Sequence, residues 1–279
     1  MDTLLLTLIV LPVAGACIGV LSGLFGVGGG FLMVPVQYFL LTHFGFDQTI
    51  ALRVAFGTSL AVILPTAISG AYGHHCRKCV VWKAVLPMGV TGVVGAFLGG
   101  TVASHTPGAI LSVLFGAVLL LAAWRMVAQV SSPDGCGSSG TSVPWYLAAG
   151  FAVGFFSGLL GIGGGVLMVP IFILFMRFGV RESIGTSTVL IGIYAVGGFL
   201  AYIVNGIGVP GLPEYSLGYV DLLFVLLLAV PSIPLAQLGV RIAHRTSPVR
   251  LKQAFSVILV VMGLKMIGVF SVLGIPILS

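Results

Sequence analysis

Ser22-Gly-Leu-Phe-Gly-Val-Gly-Gly-Gly-Phe-Leu-Met-Val-Pro-Val36 returns later in the chain as Ser157-Gly-Leu-Leu-Gly-Ile-Gly-Gly-Gly-Val-Leu-Met-Val-Pro-Ile171, with eleven of fifteen positions identical. Each copy interrupts an apolar stretch, the first running from Leu4 to Leu41 and the second from Trp145 to Phe178. A glycine inside a helix costs about 1 kcal/mol relative to alanine, so runs this dense disfavour a continuous helix. The chain therefore breaks twice, at matched places.

Working outward, weaker echoes follow in the same order. Gly57-Thr58-Ser59 matches Gly185-Thr186-Ser187, and Arg53 pairs with Arg181. The stretch ending at Gly99 resembles the one ending at Gly239, Thr106-Pro107 has a counterpart in Ser247-Pro248, and Arg125 one in Lys265. The chain reads as a duplication: a first membrane repeat over 1–130, a cytoplasmic linker over 131–144 and a second repeat over 145–279. The solvent follows from composition. Of 279 residues, 58% are apolar and 6% charged, against about a quarter charged in a soluble protein. Most of the surface must face lipid. Six further stretches, near 51–72, 82–103, 108–129, 183–204, 218–241 and 249–272, are long enough to span a core of about 30 Å. The net charge of +6 sits mainly in short connections, where it reads as a topology signal rather than a nucleic-acid face. Asp2 stands where a signal peptide would be basic, so the N-terminal stretch is expected to stay in the mature protein.

The orientation of the halves depends on the broken stretches. If each crosses once, the loops divide their Lys and Arg seven against five. If each enters and returns as a hairpin, the halves are inverted and ten basic residues share one side: Arg77, Lys78, Lys83, Arg125, Arg177, Arg181, Arg241, Arg245, Arg250 and Lys252. Only Arg53 and Lys265 fall opposite. The positive-inside rule selects the second arrangement. The expected fold is all-α and polytopic: two inverted repeats, each a glycine-broken hairpin plus three transmembrane helices, in the cell inner membrane with both termini periplasmic.

The paired turns are the leading candidate site. Irregular backbone inside a bilayer is tolerated where protein buries it or where it lines a wet cavity. Helices starting after Gly28, Gly29 and Gly30, and after Gly163, Gly164 and Gly165, would aim first-turn N–H groups, carrying partial positive charge, at an anion. Broken helices at a repeat interface are a transporter device; close packing through small residues is the competing reading. Thr58, Ser59, Thr186 and Ser187 offer hydroxyls to an oxyanion, or to helix carbonyls. Gln37 and Gln237 are polar groups in apolar runs, suited to a pathway or to interhelical bonding. Arg53 and Arg181 could attract or clamp an anion, or snorkel from helix ends. Asp221 and Glu214 read as helix-end acids, compatible with proton coupling. His74, His75, Cys76 and Cys79 hold zinc- or copper-type donors. Adjacent histidines converge poorly, however, and a solvated basic loop is the simpler reading. No Walker sequence, HExxH or Ser–His–Asp order appears, so no cofactor and no enzyme are expected.

The duplicated segments Gly26–Pro35 and Gly161–Pro170, with Gly57-Thr58-Ser59 and its mate, resemble the TauE/SafE (TSUP) family of membrane transporters across nearly the whole chain. The resemblance implies movement of sulfite, organosulfonates or related small acids. The expected function is secondary transport of such an anion by alternating access, with an anion channel or a metal or redox protein on the His74–Cys79 loop as rivals. The expected partners are the anion and lipid; proton coupling and a homodimer are compatible with the sequence.

Overall fold

The computed structural model describes residues 3–25, 28–77, 79–128, 142–243 and 248–268. Most of the 131–144 linker, Gly26, Val27, Lys78 and Arg245 lie outside them. The first half contains α1 (Thr3–Phe25), α2 (Gly30–His43), α3 (Gln48–His75), α4 (Trp82–His105) and α5 (Gly108–Ala128). The second repeats the order with α6 (Val143–Leu160), α7 (Gly165–Leu174), α8 (Val180–Gly206), α9 (Leu222–Ala243) and α10 (Pro248–Ile267). A two-stranded hairpin, β1 (Ser216–Leu217) with β2 (Val220–Asp221), precedes α9. The protein is an all-α polytopic membrane protein. Among the described residues, six helices, α1, α3, α4, α6, α8 and α9, are long and apolar enough to cross a bilayer.

The span expected from residue 218 begins later, because the chain first reverses through the hairpin. Gly218 takes a φ of +59° there. The Asp221 carboxylate then accepts the Phe224 N–H at 3.0 Å and starts α9, so Asp221 is the helix-end acid the sequence suggested. Burial pushes this carboxyl above the usual carboxylate range, against the opposing pull of the Phe224 and Leu223 amides.

Partnerships between helices recur between halves. Helix α4 packs along α6 and α8, and α9 packs along α1 and α3. Contacts run in register. Gly15, Gly19 and Gly23 of α1 meet the backbone at Leu228, Ser232 and Ala236 of α9. Gly150, Gly154 and Gly158 of α6 meet Met88, Gly92 and Ala96 of α4. Both pairs therefore run parallel, at backbone contact that only glycine permits. The repeat-equivalent helices α3 and α8 run antiparallel, with Gly57 against Tyr202, Gly198 against Leu60 and Gly70 against Thr188. Helices α5 and α10 likewise pair through Gly116 and Ile267, then Leu120 and Gly263.

Polarity follows the same plan. Large apolar side chains such as Leu86, Val90 and Val94 of α4 and Leu226 and Val230 of α9 are exposed, as a lipid-facing surface requires. Trp82, Trp124 and Trp145 are exposed near helix ends, where amphipathic rings suit the bilayer interface. One end of the bundle collects Arg53, Thr106 and Tyr219, joined by hydrogen bonds of 3.1 Å from the Arg53 guanidinium. The other collects Arg77, which reaches the Val240 carbonyl, and the Val81–Thr186 contact.

Candidate functional site

Both glycine runs are sharp reversals. Gly28 and Gly29 have φ of +80° and +74°, and Gly163 and Gly164 have +83° and +79°. L-residues avoid this left-handed region by about 1–2 kcal/mol each, so two consecutive positions of this kind call for glycine. The chain then turns back on itself. Gly29 returns against Ile18 and Ser22, and Gly164 returns against Val153 and Ser157. The arms that follow, α2 with 14 residues and α7 with 10, extend about 21 and 15 Å. Neither arm spans a bilayer.

The two reversals meet. A Cβ built on Gly30 would stand 2.7 Å from the Gly161 carbonyl oxygen and 2.8 Å from that of Ile162. Ile63 and Ile191, at equivalent places on α3 and α8, touch both turns: Ile191 lies against Gly28 and Gly163, and Ile63 against Gly30 and Gly163. Each short helix starts at a left-handed glycine, Gly29 or Gly164, with no side-chain cap. In each first turn the third amide, Leu32 or Leu167, donates to the carbonyl of that glycine at 3.1 Å. The start of α2 thus lies against the carbonyls of the second turn, and both turns share Ile63 and Ile191 in the buried middle of the protein.

The Gly-Thr-Ser motifs also make contacts within the protein. Thr58 Oγ1 accepts the Asp221 N–H at 2.9 Å, and Thr186 Oγ1 accepts the Val81 N–H at 3.0 Å. Gly57 and Gly185 lie against the carbonyls of Tyr219 and Cys79. Each motif therefore docks the segment that leads into the fourth helix of the opposite half: the glycine admits a carbonyl and the threonine holds an amide. Thr58→Val is expected to lower stability by about 1–3 kcal/mol, the cost of orphaning a buried amide. Thr186→Val should cost less, because the Val81 amide is only partly buried. Thermal unfolding in detergent checks the ranking; equal melting points for wild type and Thr58→Val would contradict it.

The serines of these motifs diverge. Ser59 Oγ accepts from Gln37 Nε2 at 3.0 Å inside the protein, while Ser187 donates to the Ile184 carbonyl. Gln37 is fully buried. Gln237 is exposed on α9. The two arginines also differ: Arg53 is held by Tyr219 and the Thr106 carbonyl, whereas Arg181 is exposed. Both stand ten residues from the isoleucine on their own helix, about 15 Å from the glycine turns. Tyr202 donates to the Gly158 carbonyl and Asn205 to Thr101, so both serve interhelical contacts. In the 74–79 segment, His74 is buried while His75 is exposed against Trp82. Cys76 is exposed and Cys79 Sγ reaches the Arg77 carbonyl. Among the described residues, no three His, Cys, Asp or Glu side chains gather into a metal-holding group.

Two features escaped the sequence reading. The glycines spaced by four on α1 and α6 hold these helices against α9 and α4; their matched spacing in both halves was the available signal. Ile63 and Ile191 carried none, since an isoleucine in an apolar helix looks like any other.

A duplicated, multi-pass helical membrane protein with paired breaks at its centre is the architecture of a membrane transport protein. The family described as Sulfite exporter TauE/SafE matches residues 11–266, and the chain belongs to that family. A probable membrane transporter protein of Methanocaldococcus jannaschii, MJ0441, is 34% identical over 265 residues, covering 94% of this chain and 96% of that protein. A probable membrane transporter protein of Haemophilus influenzae is 31% identical over 252 residues, covering 90% and 95%. The probable membrane transporter protein YunE of Bacillus subtilis is 27% identical over 285 residues, covering 95% and 100%. No solved structure matches the chain.

Proposed function

We propose that the protein is a secondary transporter that moves a small anion across the inner membrane by alternating access. The observation that carries this reading is the meeting of the two glycine turns, with Gly30 against the Gly161 and Ile162 carbonyls and with α2 and α7 each leaving its turn without a side-chain cap. Helix ends of this kind bind anions without a fixed charge that would trap them. Sulfite is the anion named in the family's description, and an organosulfonate or related small acid would present the same kind of oxyanion.

The halves are inverted in this account. Antiparallel pairing of the equivalent helices α3 and α8, and of α5 and α10, supports it, since parallel repeats would set equivalents side by side in one direction. Each hairpin then opens to an opposite face of the membrane. The end bearing Arg77, Lys83, Arg181 and Arg241 is cytoplasmic, and both termini are periplasmic. One half rocks against the other about Ile63 and Ile191, so the turns face each side in succession. Arg53 and Arg181, at opposite ends, draw the anion to the two mouths, and Ser59 with Gln37 lies buried between the first mouth and the turns. The anion's own gradient or protons supply the energy.

A proteoliposome flux screen with sulfite, sulfate, taurine, isethionate and sulfoacetate tests the proposal. Saturable flux of at least one of these, with no unitary currents in planar bilayers, is the expected result. Unitary conductance would make the protein a channel, and no flux of any anion would remove the transport reading.

A further inference from the structure

Gln37 is buried with one end of its carboxamide in use and the other unused. Its Nε2 donates to Ser59 Oγ, while its Oε1 has no hydrogen-bond partner at 0% exposure. A buried carbonyl-type acceptor left unpaired is costly, by about 1–3 kcal/mol, and calls for an explanation. The repeat offers no structural one. Counting from the glycine runs, the equivalent position in the second half is Phe172, which is buried and stacks on Phe178 at 5.2 Å. An apolar side chain therefore satisfies the fold at this place.

Position relates the amide to the turns. Gln37 follows Gly30 by seven residues on α2, two turns along the same face and about 10 Å away. Ser59 precedes Ile63 by four residues on α3, and Ile63 touches Gly30. Gln37 and the first glycine turn thus share the α2–α3 seam. An anionic head at the turn, a two-carbon spacer and a hydroxyl, with a hydrogen bond of about 2.9 Å at each end, spans a length of this order.

Resting on the transport reading, we propose that Gln37 sets specificity: its Oε1 accepts a hydrogen bond from a donor group on the cargo, so the preferred substrate is a short anion carrying a hydroxyl or amino group a few bonds from its charged head. Ser59 is the positioning residue, holding the amide with Oε1 free. The glycine turns take the charge and Gln37 reads the far end. The asymmetry between Gln37 and Phe172 then means that the cargo lies along the first half.

The test compares isethionate with ethanesulfonate, which share head and spacer and differ by the hydroxyl, in proteoliposomes holding the full chain. Wild type is expected to carry isethionate at least about tenfold faster at limiting concentration, since a site built to bond a hydroxyl rejects the analogue lacking it. Gln37→Leu should bring the flux ratio to within about threefold of unity. The Gln37→Leu/Ser59→Ala double variant should melt at or above the wild-type temperature, because the orphaned acceptor and its partner leave together. Equal fluxes in wild type, an unchanged ratio in Gln37→Leu, or a lower melting point in the double variant would each overturn the assignment while leaving transport intact. Absence of any sulfonate or sulfite flux in wild type would instead remove the transport reading on which it rests.

Discussion

Gly30→Ala is expected to abolish anion flux while leaving the protein in the membrane. The added methyl would sit 2.7 and 2.8 Å from two carbonyl oxygens of the opposite turn, well inside contact distance, and both are backbone atoms that cannot swing aside. The turns must separate. Gly30 has no positive φ, so alanine brings no backbone strain of its own, and one methyl does not weaken insertion. What changes is the spacing of the two glycine turns. Displacing positioned groups by about 1 Å costs about a hundredfold where function depends on their geometry, and a loss of that size is expected in a proteoliposome assay. Gly73→Ala is the control. There a Cβ meets Val240 at 3.4 Å, an ordinary contact, and flux should persist. Wild-type flux in Gly30→Ala would show that the turns need not touch.

Gly154→Leu should remove the folded protein altogether. A Cβ at Gly154 would run into the Gly92 backbone, whose carbonyl oxygen lies against it. The same face of α6 makes the Gly150–Met88 and Gly158–Ala96 contacts. A leucine there forces α6 off α4 along its length. Without water inside the bilayer, close backbone packing is the main force joining these helices. The expected cost exceeds about 4 kcal/mol, the range reserved for a named steric failure. Size-exclusion chromatography in detergent should lose its monodisperse peak. Val90→Ala, at a lipid-facing position on the same α4, should change stability by no more than about 0.5 kcal/mol.

Much of the fold was legible because duplication prints its structure twice. The glycine pentapeptides located both reversals, and their consecutive left-handed residues are what glycine uniquely supplies. The charge distribution selected hairpins over single crossings, and Gly29 and Gly164 each pack back on the helix before them. Other features were hidden for physical reasons. The motif around Thr58 and Thr186 looked like a set of anion ligands, since a hydroxyl has the same chemistry toward an oxyanion as toward an amide. Only the chain path reveals that the Asp221 and Val81 amides are the partners of Oγ1. Arg53 and Arg181 appeared alike in sequence, yet the hairpin before α9 supplies Tyr219 to one and nothing comparable to the other. The β1–β2 hairpin itself was masked by apolar residues that continue into α9.

Anomalous diffraction from crystals grown with selenite, a selenium oxyanion of sulfite's shape, tests the central claim most directly. The account predicts a peak between Ile63 and Ile191, within hydrogen-bond reach of the first-turn amides of α2 or α7. A peak confined to the ends of the bundle beside Arg53 or Arg181, in a protein that transports selenite, would contradict it.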